Sequence, residues 1–224
     1  MLRFSGETLL PDAVGWWRSL PQAAPPGALL TLSPLDRSAV DHMRCVERLA
    51  GEAAAWLGLD PELVCVVRRA ALLHDLGKMV IPPSVLNKPA KLSAAEWKIV
   101  RRHPEIGADL LSRIGVSKQV CEAVFAHHER WDGGGYPTGL AGSDIPIEAR
   151  LIAVADAYDA MTNYRPYCGA LNHDRAIEQL NLGSGNQFDP VAVEAVEAAL
   201  TLVLDKDFGS PLQAVLRWRI MPGP

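Results

Sequence analysis

The spacing of apolar residues constrains the fold of this chain more than any other feature. They recur every three or four positions, and no segment alternates convincingly with a period of two. In the first such segment they fall on one helical face: Val40, Met43, Val46, Leu49 and Ala50. An apolar face with this period must be buried against other helices. The sequence therefore predicts an all-α fold, a compact helical bundle.

Capping residues, proline and glycine divide the chain into segments. Asp60-Pro61-Glu62 is typical of a helix start, and Ser93-Ala94-Ala95-Glu96 forms a second start of the capping-box type. Gly77 marks the end of the second helix, and three prolines make residues 78–92 a loop. Residues 132–137 form a long Gly-rich loop. Further helices are predicted over residues 105–113, 117–128, 147–162 and 174–180, and from Asp189-Pro190 onward.

These segments predict a three-part organisation. Residues 1–34 are rich in proline and glycine and form an N-terminal appendage of unclear role. Residues 35–200 form the domain, and residues 201–224 form a tail that packs on it. The 224 residues suffice for one good-sized domain with a small appendage.

Charge and composition narrow the classes of partner. A net charge of −4 argues against binding a nucleic acid polymer, although a small phosphorylated ligand needs only local positive charge. No charged N-terminal segment is followed by an apolar run, and no run of about 18 apolar residues occurs, so neither a signal peptide nor a membrane span is expected. The four cysteines match no zinc framework and fit a reducing compartment, which predicts a cytoplasmic protein.

Histidines and aspartates are the candidate metal ligands. His74-Asp75 and His127-His128 each stand at the end of a predicted helix, and Asp156 lies in the apolar run Leu151-Ile152-Ala153-Val154-Ala155. A single histidine is more often a surface or core residue, and Asp156 could instead face solvent or bond to a helix end. Together, imidazole and carboxylate suit a hydrolytic metal site. A bridging Asp75 could hold two metals about 3.5–4 Å apart.

The order of these motifs resembles a known family. His74-Asp75-Leu76-Gly77-Lys78 looks like the signature of HD-domain phosphohydrolases, and the sequence from His127 to the Gly-Tyr-Pro loop (Gly135-Tyr136-Pro137) resembles the HD-GYP subfamily. The similarity extends in order over residues 36–200. It includes the segments 41–44, 103–107, 155–162, 165–167 and 187–190.

The resemblance implies a cyclic di-GMP phosphodiesterase with two divalent metal ions, iron or manganese, and a metal-bridging hydroxide as nucleophile. The products would be linear pGpG, GMP or both. One metal would be held by His42, His74, Asp75 and Asp156. The second would be held by His103, His127 and His128, with Asp75 bridging. Lys78 would contact the scissile phosphate.

Three further residues are implied to bind substrate: Asp159, Arg165 and Tyr136. Tyr136 belongs to the Gly-Tyr-Pro loop, which could equally be no more than a turn. The resemblance also implies that this loop is an exposed surface that lines the substrate cleft or recruits a diguanylate cyclase (GGDEF) domain. Glu129 and Arg130 are open to two interpretations, a role in this surface or a solvated ion pair.

Two positions depart from the family pattern. Ser38 stands where some members carry a glutamate that supports a third metal, so we expect two metals. Cys168 stands where a basic residue commonly grips the ligand. Two alternatives therefore stay open: a hydrolase of another cyclic dinucleotide, and a non-catalytic cyclic di-GMP receptor or scaffold for cyclases.

Overall fold

The fold is entirely helical over the residues that the structure, a computed structural model, describes, namely 37–163 and 170–208. These ranges contain no β-strand, which confirms the predicted all-α class. The α-helices of the described part are α1 (Arg37–Trp56), α2 (Pro61–Leu73), α3 (Pro83–Leu86), α4 (Ala94–Val100), α5 (His103–Arg113), α6 (Lys118–Ala126), α7 (Ile147–Thr162), α8 (His173–Gly183) and α9 (Pro190–Phe208). Two 3-10 helices span Leu76–Val80 and Gly142–Asp144.

Helix starts agree with the capping signals in the sequence. The Asp60 side chain accepts a hydrogen bond from the Leu63 backbone N–H at 2.8 Å, which fixes the start of α2. At α4, Ser93 N–H donates to Glu96 at 2.7 Å and Glu96 N–H donates to the Ser93 hydroxyl at 3.3 Å. The capping box predicted for Ser93 and Glu96 is therefore confirmed.

The predicted loop over residues 78–92 is more ordered than expected. It contains α3 and most of the first 3-10 helix. Gly77 lies inside that 3-10 helix and does not end α2, which stops earlier, at Leu73. The interpretation of Gly77 as a helix terminator was therefore wrong.

Helix α7 is the centre of the bundle. It packs against α1, α2, α6, α8 and α9, and α1 also packs closely on α2 and α9. Its buried residues include Ala149, Leu151, Ile152, Val154 and Ala155, which point in several directions around the helix axis. A helix that is apolar on most sides belongs in the core. Asp156 and Asp159 lie in the last two turns of α7, directly after these buried residues.

Both predicted flanking segments fall largely outside the described residues. Residues 1–34 and 209–224 lie outside them, and α9 continues without a break from residue 200 to Phe208. Among the described helices, none combines the length and the apolar character that a membrane crossing requires.

Candidate metal centre

The predicted ligands come together because several helix ends meet at one place. His74 caps the C-terminus of α2, His103 is the first residue of α5, and His127 caps the C-terminus of α6. His42 comes from the second turn of α1, and Asp156 from α7. All seven predicted metal ligands fall into two adjacent groups, within each of which one ligand atom per residue lies within 4.8 Å of the others. These groups are Asp75, His103, His127 and His128, and His42, His74 and Asp156.

Three imidazoles in the centre are fully buried and are held in the same way. The Nδ1 atoms of His74, His103 and His127 lie 2.7, 2.8 and 2.6 Å from the carbonyl oxygens of Ala71, Val100 and Val124. A carbonyl can only accept, so each Nδ1 carries the proton and donates. Each Nε2 therefore carries a lone pair that points into the cluster. Metal-binding histidines commonly have this tautomer and orientation.

The inward-facing lone pairs are close together without protons between them. His103 Nε2 lies 3.2 Å from His127 Nε2 and 3.3 Å from Asp75 Oδ1. His74 Nε2 and Asp75 Oδ1 are buried and have no hydrogen-bond partner. Acceptors facing one another at this distance repel unless a cation lies between them. The chemistry and burial of these donors therefore fit a bound metal ion.

Asp75 faces both groups with different oxygens. Its Oδ1 lies 3.3 Å from His103 Nε2, whereas its Oδ2 lies 3.5 Å from His74 Nε2 and 3.9 Å from His42 Nε2. Lys78 also donates to Oδ2 at 2.6 Å. A carboxylate placed in this way can contribute one oxygen to each of two metal ions, as the sequence predicts for Asp75.

The titration behaviour of the cluster favours the metal-binding forms of its side chains. Burial lowers the pKa of His128 to about 3, and burial followed by repulsion from neighbouring imidazoles holds the pKa of His127 well below its usual range. Burial tends to raise the pKa of Asp75, but its close contacts with the His74 and His103 imidazoles and with the Lys78 ammonium hold it well below normal. His127 and His128 are therefore neutral and Asp75 is ionised near neutral pH, as metal binding requires.

Asp159 lies behind His42. Its Oδ2 accepts a hydrogen bond from His42 Nδ1 at 2.6 Å, its Oδ1 accepts from Asn163 at 2.7 Å, and the residue is 2% exposed. Burial tends to lower the pKa of His42, but this hydrogen bond and nearby carboxylates raise it above its ordinary value. Both oxygens of Asp159 are thus engaged and buried, in contacts that hold the His42 ring, and its predicted substrate contact stays a prediction.

Gly77 permits the close approach of two ligand-bearing segments. A Cβ atom at Gly77 would lie 2.0 Å from the His103 carbonyl oxygen and 2.8 Å from the Gly107 backbone nitrogen. The 3-10 helix that contains Gly77 packs on α5, which begins with His103. Only glycine allows the backbone beside Asp75 to lie this close to the backbone of His103.

The Gly-Tyr-Pro loop is held by Glu129, a role that the sequence did not reveal. Glu129 is 4% exposed and accepts hydrogen bonds from the backbone and hydroxyl of Thr138 at 2.7 and 2.8 Å, and from Gly139 N–H. The alternative of a solvated pair with Arg130 is wrong, because Arg130 pairs with Asp132 at 2.6 Å. The only signal in the sequence was an acid placed directly before a loop rich in free backbone N–H groups.

The start of α9 anchors the other side of this loop. Trp131 N–H donates to the Gln187 carbonyl at 3.1 Å, and Arg150 lies over the Trp131 ring, 5.7 Å from its centroid. Arg150 also pairs at 2.6 Å with Asp189, which is buried and caps α9 through Val191 N–H. This network joins α7, α9 and the loop into one support for the cluster.

The remaining predicted substrate residues have different surroundings. Tyr136 stacks on His128, with ring centroids 4.9 Å apart, so the loop lines the cluster and is more than a distant turn. Lys78 is partly exposed beside Asp75. Arg165, Tyr164 and Cys168 lie outside the described residues, as does the side chain of Ser38.

Comparisons with known proteins agree with the geometry. The HD domain family model matches residues 29–191. The chain is 45% identical over 155 residues to the cyclic di-GMP phosphodiesterase response regulator RpfG of Xanthomonas campestris, a match that covers 67% of the chain and 40% of that protein. It is 38% identical over 158 residues to the 3'3'-cGAMP-specific phosphodiesterase 2 of Vibrio cholerae, covering 68% of the chain and 30% of that protein.

A solved structure shares the fold. It is Bd1817, a HDG"Y"P protein from Bdellovibrio bacteriovorus, with a TM-score of 0.60 and 22% identity over 79% of this chain and 57% of that one. The two curated relatives are much longer than the matching region, since the chain spans 30–40% of their length.

Proposed function

The chain belongs to the HD-domain family, within its HD-GYP group, and from this membership we propose that it is a metal-dependent phosphodiesterase that hydrolyses cyclic di-GMP. The single observation that carries this proposal is the pair of ligand groups on either side of Asp75. Two adjacent cation sites that share a carboxylate are the arrangement used for displacement at phosphodiesters. The expected products are linear pGpG, GMP or both.

We assign the first site to His42, His74, Asp75 and Asp156, and the second to Asp75, His103, His127 and His128. The orphaned lone pairs of His74 and Asp75 support this assignment. Two divalent ions, iron or manganese by ligand chemistry, would supply charge to neutralise the phosphate and a hydroxide nucleophile near neutral pH.

Other residues of this chain prepare the site for a phosphodiester. Asp159 orients the His42 ring, and Lys78 places a positive charge beside Asp75, where it can also reach a phosphate oxygen. Tyr136 stacks on His128 and forms one wall beside the cluster. Arg165, carried over from the family resemblance, is proposed as a further phosphate or guanine contact.

A hybrid cyclic dinucleotide is the second candidate substrate. The 38% identity to a 3'3'-cGAMP-specific phosphodiesterase favours it, because the metal ligands would serve both substrates equally. Docking of diguanylate cyclase domains on the Gly-Tyr-Pro loop is compatible with either substrate, since Thr138 and Gly139 at the loop surface are exposed.

Turnover measured by chromatography of the products tests this function. Protein loaded with iron(II) or manganese(II) is incubated with cyclic di-GMP and, separately, with 3'3'-cGAMP, beside His74→Ala, Asp75→Ala and the control His173→Ala. His173 is the one histidine outside the cluster and contacts Tyr158. We expect both cluster variants to lose more than about 100-fold in rate, because loss of outer-shell partners alone costs 10- to 100-fold. A wild type that releases no product, or cluster variants with full activity, would contradict the proposal.

A further inference from the structure

The exposed face of α4 lies beside the metal centre. Arg101 caps the C-terminus of this helix and is exposed, and its guanidinium carbon lies 5.4 Å from the centroid of the Tyr136 ring. Tyr136 in turn stacks on His128. A single aromatic ring therefore separates Arg101 from a proposed metal ligand.

Arg101 differs from the other cations near the cluster in what it contacts. Lys78 is engaged by Asp75, and Arg102 pairs with Glu105 at 3.3 Å. Among the carboxylates that the structure describes, none forms an ion pair with Arg101, whose recorded contact is the face of Tyr136. A guanidinium over an aromatic ring keeps its planar set of donors available to an anion.

Trp97 extends this surface by one helical turn. It lies four residues before Arg101, so the two side chains share a face of α4. Its 49% exposure is high for a large aromatic side chain. An exposed indole is suited to stacking on a nucleobase, because every base has an aromatic face.

We propose that Trp97 and Arg101 bind the half of a cyclic dinucleotide that is not being cleaved. This inference rests on the proposed function. A cyclic dinucleotide carries two phosphates and two bases, and only one phosphate can lie at the metal centre. The second phosphate needs a cation, which Arg101 supplies as a two-pronged donor. The nearby purine needs a stacking surface, which Trp97 supplies.

The test compares two diesters of different size. Cyclic di-GMP occupies both the metal centre and the α4 face, whereas bis(4-nitrophenyl) phosphate has one phosphate and no purine. Values of kcat and KM are measured for both substrates on metal-loaded wild type, Arg101→Ala, Arg101→Lys and Trp97→Ala. Lys98→Ala is the matched control, since Lys98 is an exposed cation of α4 one residue beyond Trp97 and faces another direction.

We expect Arg101→Ala and Trp97→Ala each to raise KM for cyclic di-GMP about tenfold or more, in line with one charge-assisted hydrogen bond or one stacked base. The KM of Arg101→Lys for cyclic di-GMP should lie between those of wild type and Arg101→Ala, because lysine keeps the charge but lacks the planar guanidinium. Turnover of the small diester stays at the wild-type level in all variants, and Lys98→Ala behaves as wild type with both substrates.

An unchanged KM for cyclic di-GMP in Arg101→Ala and Trp97→Ala would overturn the inference while leaving the proposed function intact. Equal losses with both diesters would also overturn it, because Arg101 would then only support the Tyr136 ring. A wild type that cleaves the small diester but neither cyclic di-GMP nor 3'3'-cGAMP would refute both proposed substrates and the inference together.

Discussion

The substitution Gly77→Ala tests whether the approach of two backbone segments builds the metal centre. The added Cβ would lie 2.0 Å from the His103 carbonyl oxygen, and Cβ contacts under 3.0 Å essentially do not occur. The segments that carry Asp75 and His103 must therefore separate by about 1 Å, a displacement that can cost about 100-fold in rate when it reaches catalytic groups. Overpacking of this kind also destabilises a fold by about 1–3 kcal/mol.

Gly58→Ala is the matched control for this substitution. Gly58 has a φ of +71° and no atom within 4 Å of an added Cβ, so alanine there is strained only by its backbone conformation. That strain costs about 1–2 kcal/mol. The free energy of unfolding should fall by similar amounts in the two variants, but only Gly77→Ala should lose the metal centre.

The assay for this pair combines three measurements. Urea denaturation gives the free energy of unfolding, elemental analysis gives bound metal per chain, and hydrolysis of bis(4-nitrophenyl) phosphate gives activity. We expect both variants to be less stable than wild type, with metal content and activity reduced in Gly77→Ala alone. Wild-type metal content and activity in Gly77→Ala would refute the reasoning.

Three further predictions concern the surroundings of the cluster. Glu129→Gln should lower the free energy of unfolding by about 1.5–3 kcal/mol in urea titrations, because a charged acceptor of several loop hydrogen bonds becomes neutral. An unchanged midpoint of urea denaturation would show that Glu129 does not hold the loop. Asp189→Asn should lower the free energy of unfolding by about 3 kcal/mol, since Arg150 then keeps a largely buried charge without its partner. The same urea titration measures this change, and a loss below about 1 kcal/mol argues against the network. For metal-free protein, the His128 pKa of about 3 means that the unfolded chain binds a proton below pH 6.5 that the folded chain does not. The free energy of unfolding therefore decreases as the pH is lowered through this window, by at most about 1.4 kcal/mol per pH unit from this group. Urea titrations of His128→Gln should show a smaller decrease between pH 7 and pH 5.

Local signals in the sequence predicted the helices well. The capping box of Ser93 and Glu96 and the capping Asp60 involve residues three positions apart, so the interactions can be recognised without a fold. The segment 147–162 coincides with α7, because its apolar run is bounded by Pro146 and by the polar Asn163. Such contacts join residues within about one helical turn of each other, so the local sequence determines them.

Contacts between distant residues account for what the sequence left open. Arg150 and Asp189 are 39 positions apart, and the proximity of Arg101 to Tyr136 depends on how α4 and the loop are brought together. Gly77 was misread because glycine commonly ends a helix, whereas here it makes room for the backbone of His103. The grouping of the seven candidate ligands came from the family resemblance, and nothing in the spacing of the histidines alone could have provided it.

The measurement that tests the central claim most directly is an anomalous difference map from crystals of the protein loaded with iron or manganese. We expect two peaks per chain, one among His42, His74 and Asp156 and one among His103, His127 and His128, with an Asp75 oxygen in contact with each. A single peak, a third peak on the α1 side, or peaks away from Asp75 would contradict the two-metal account.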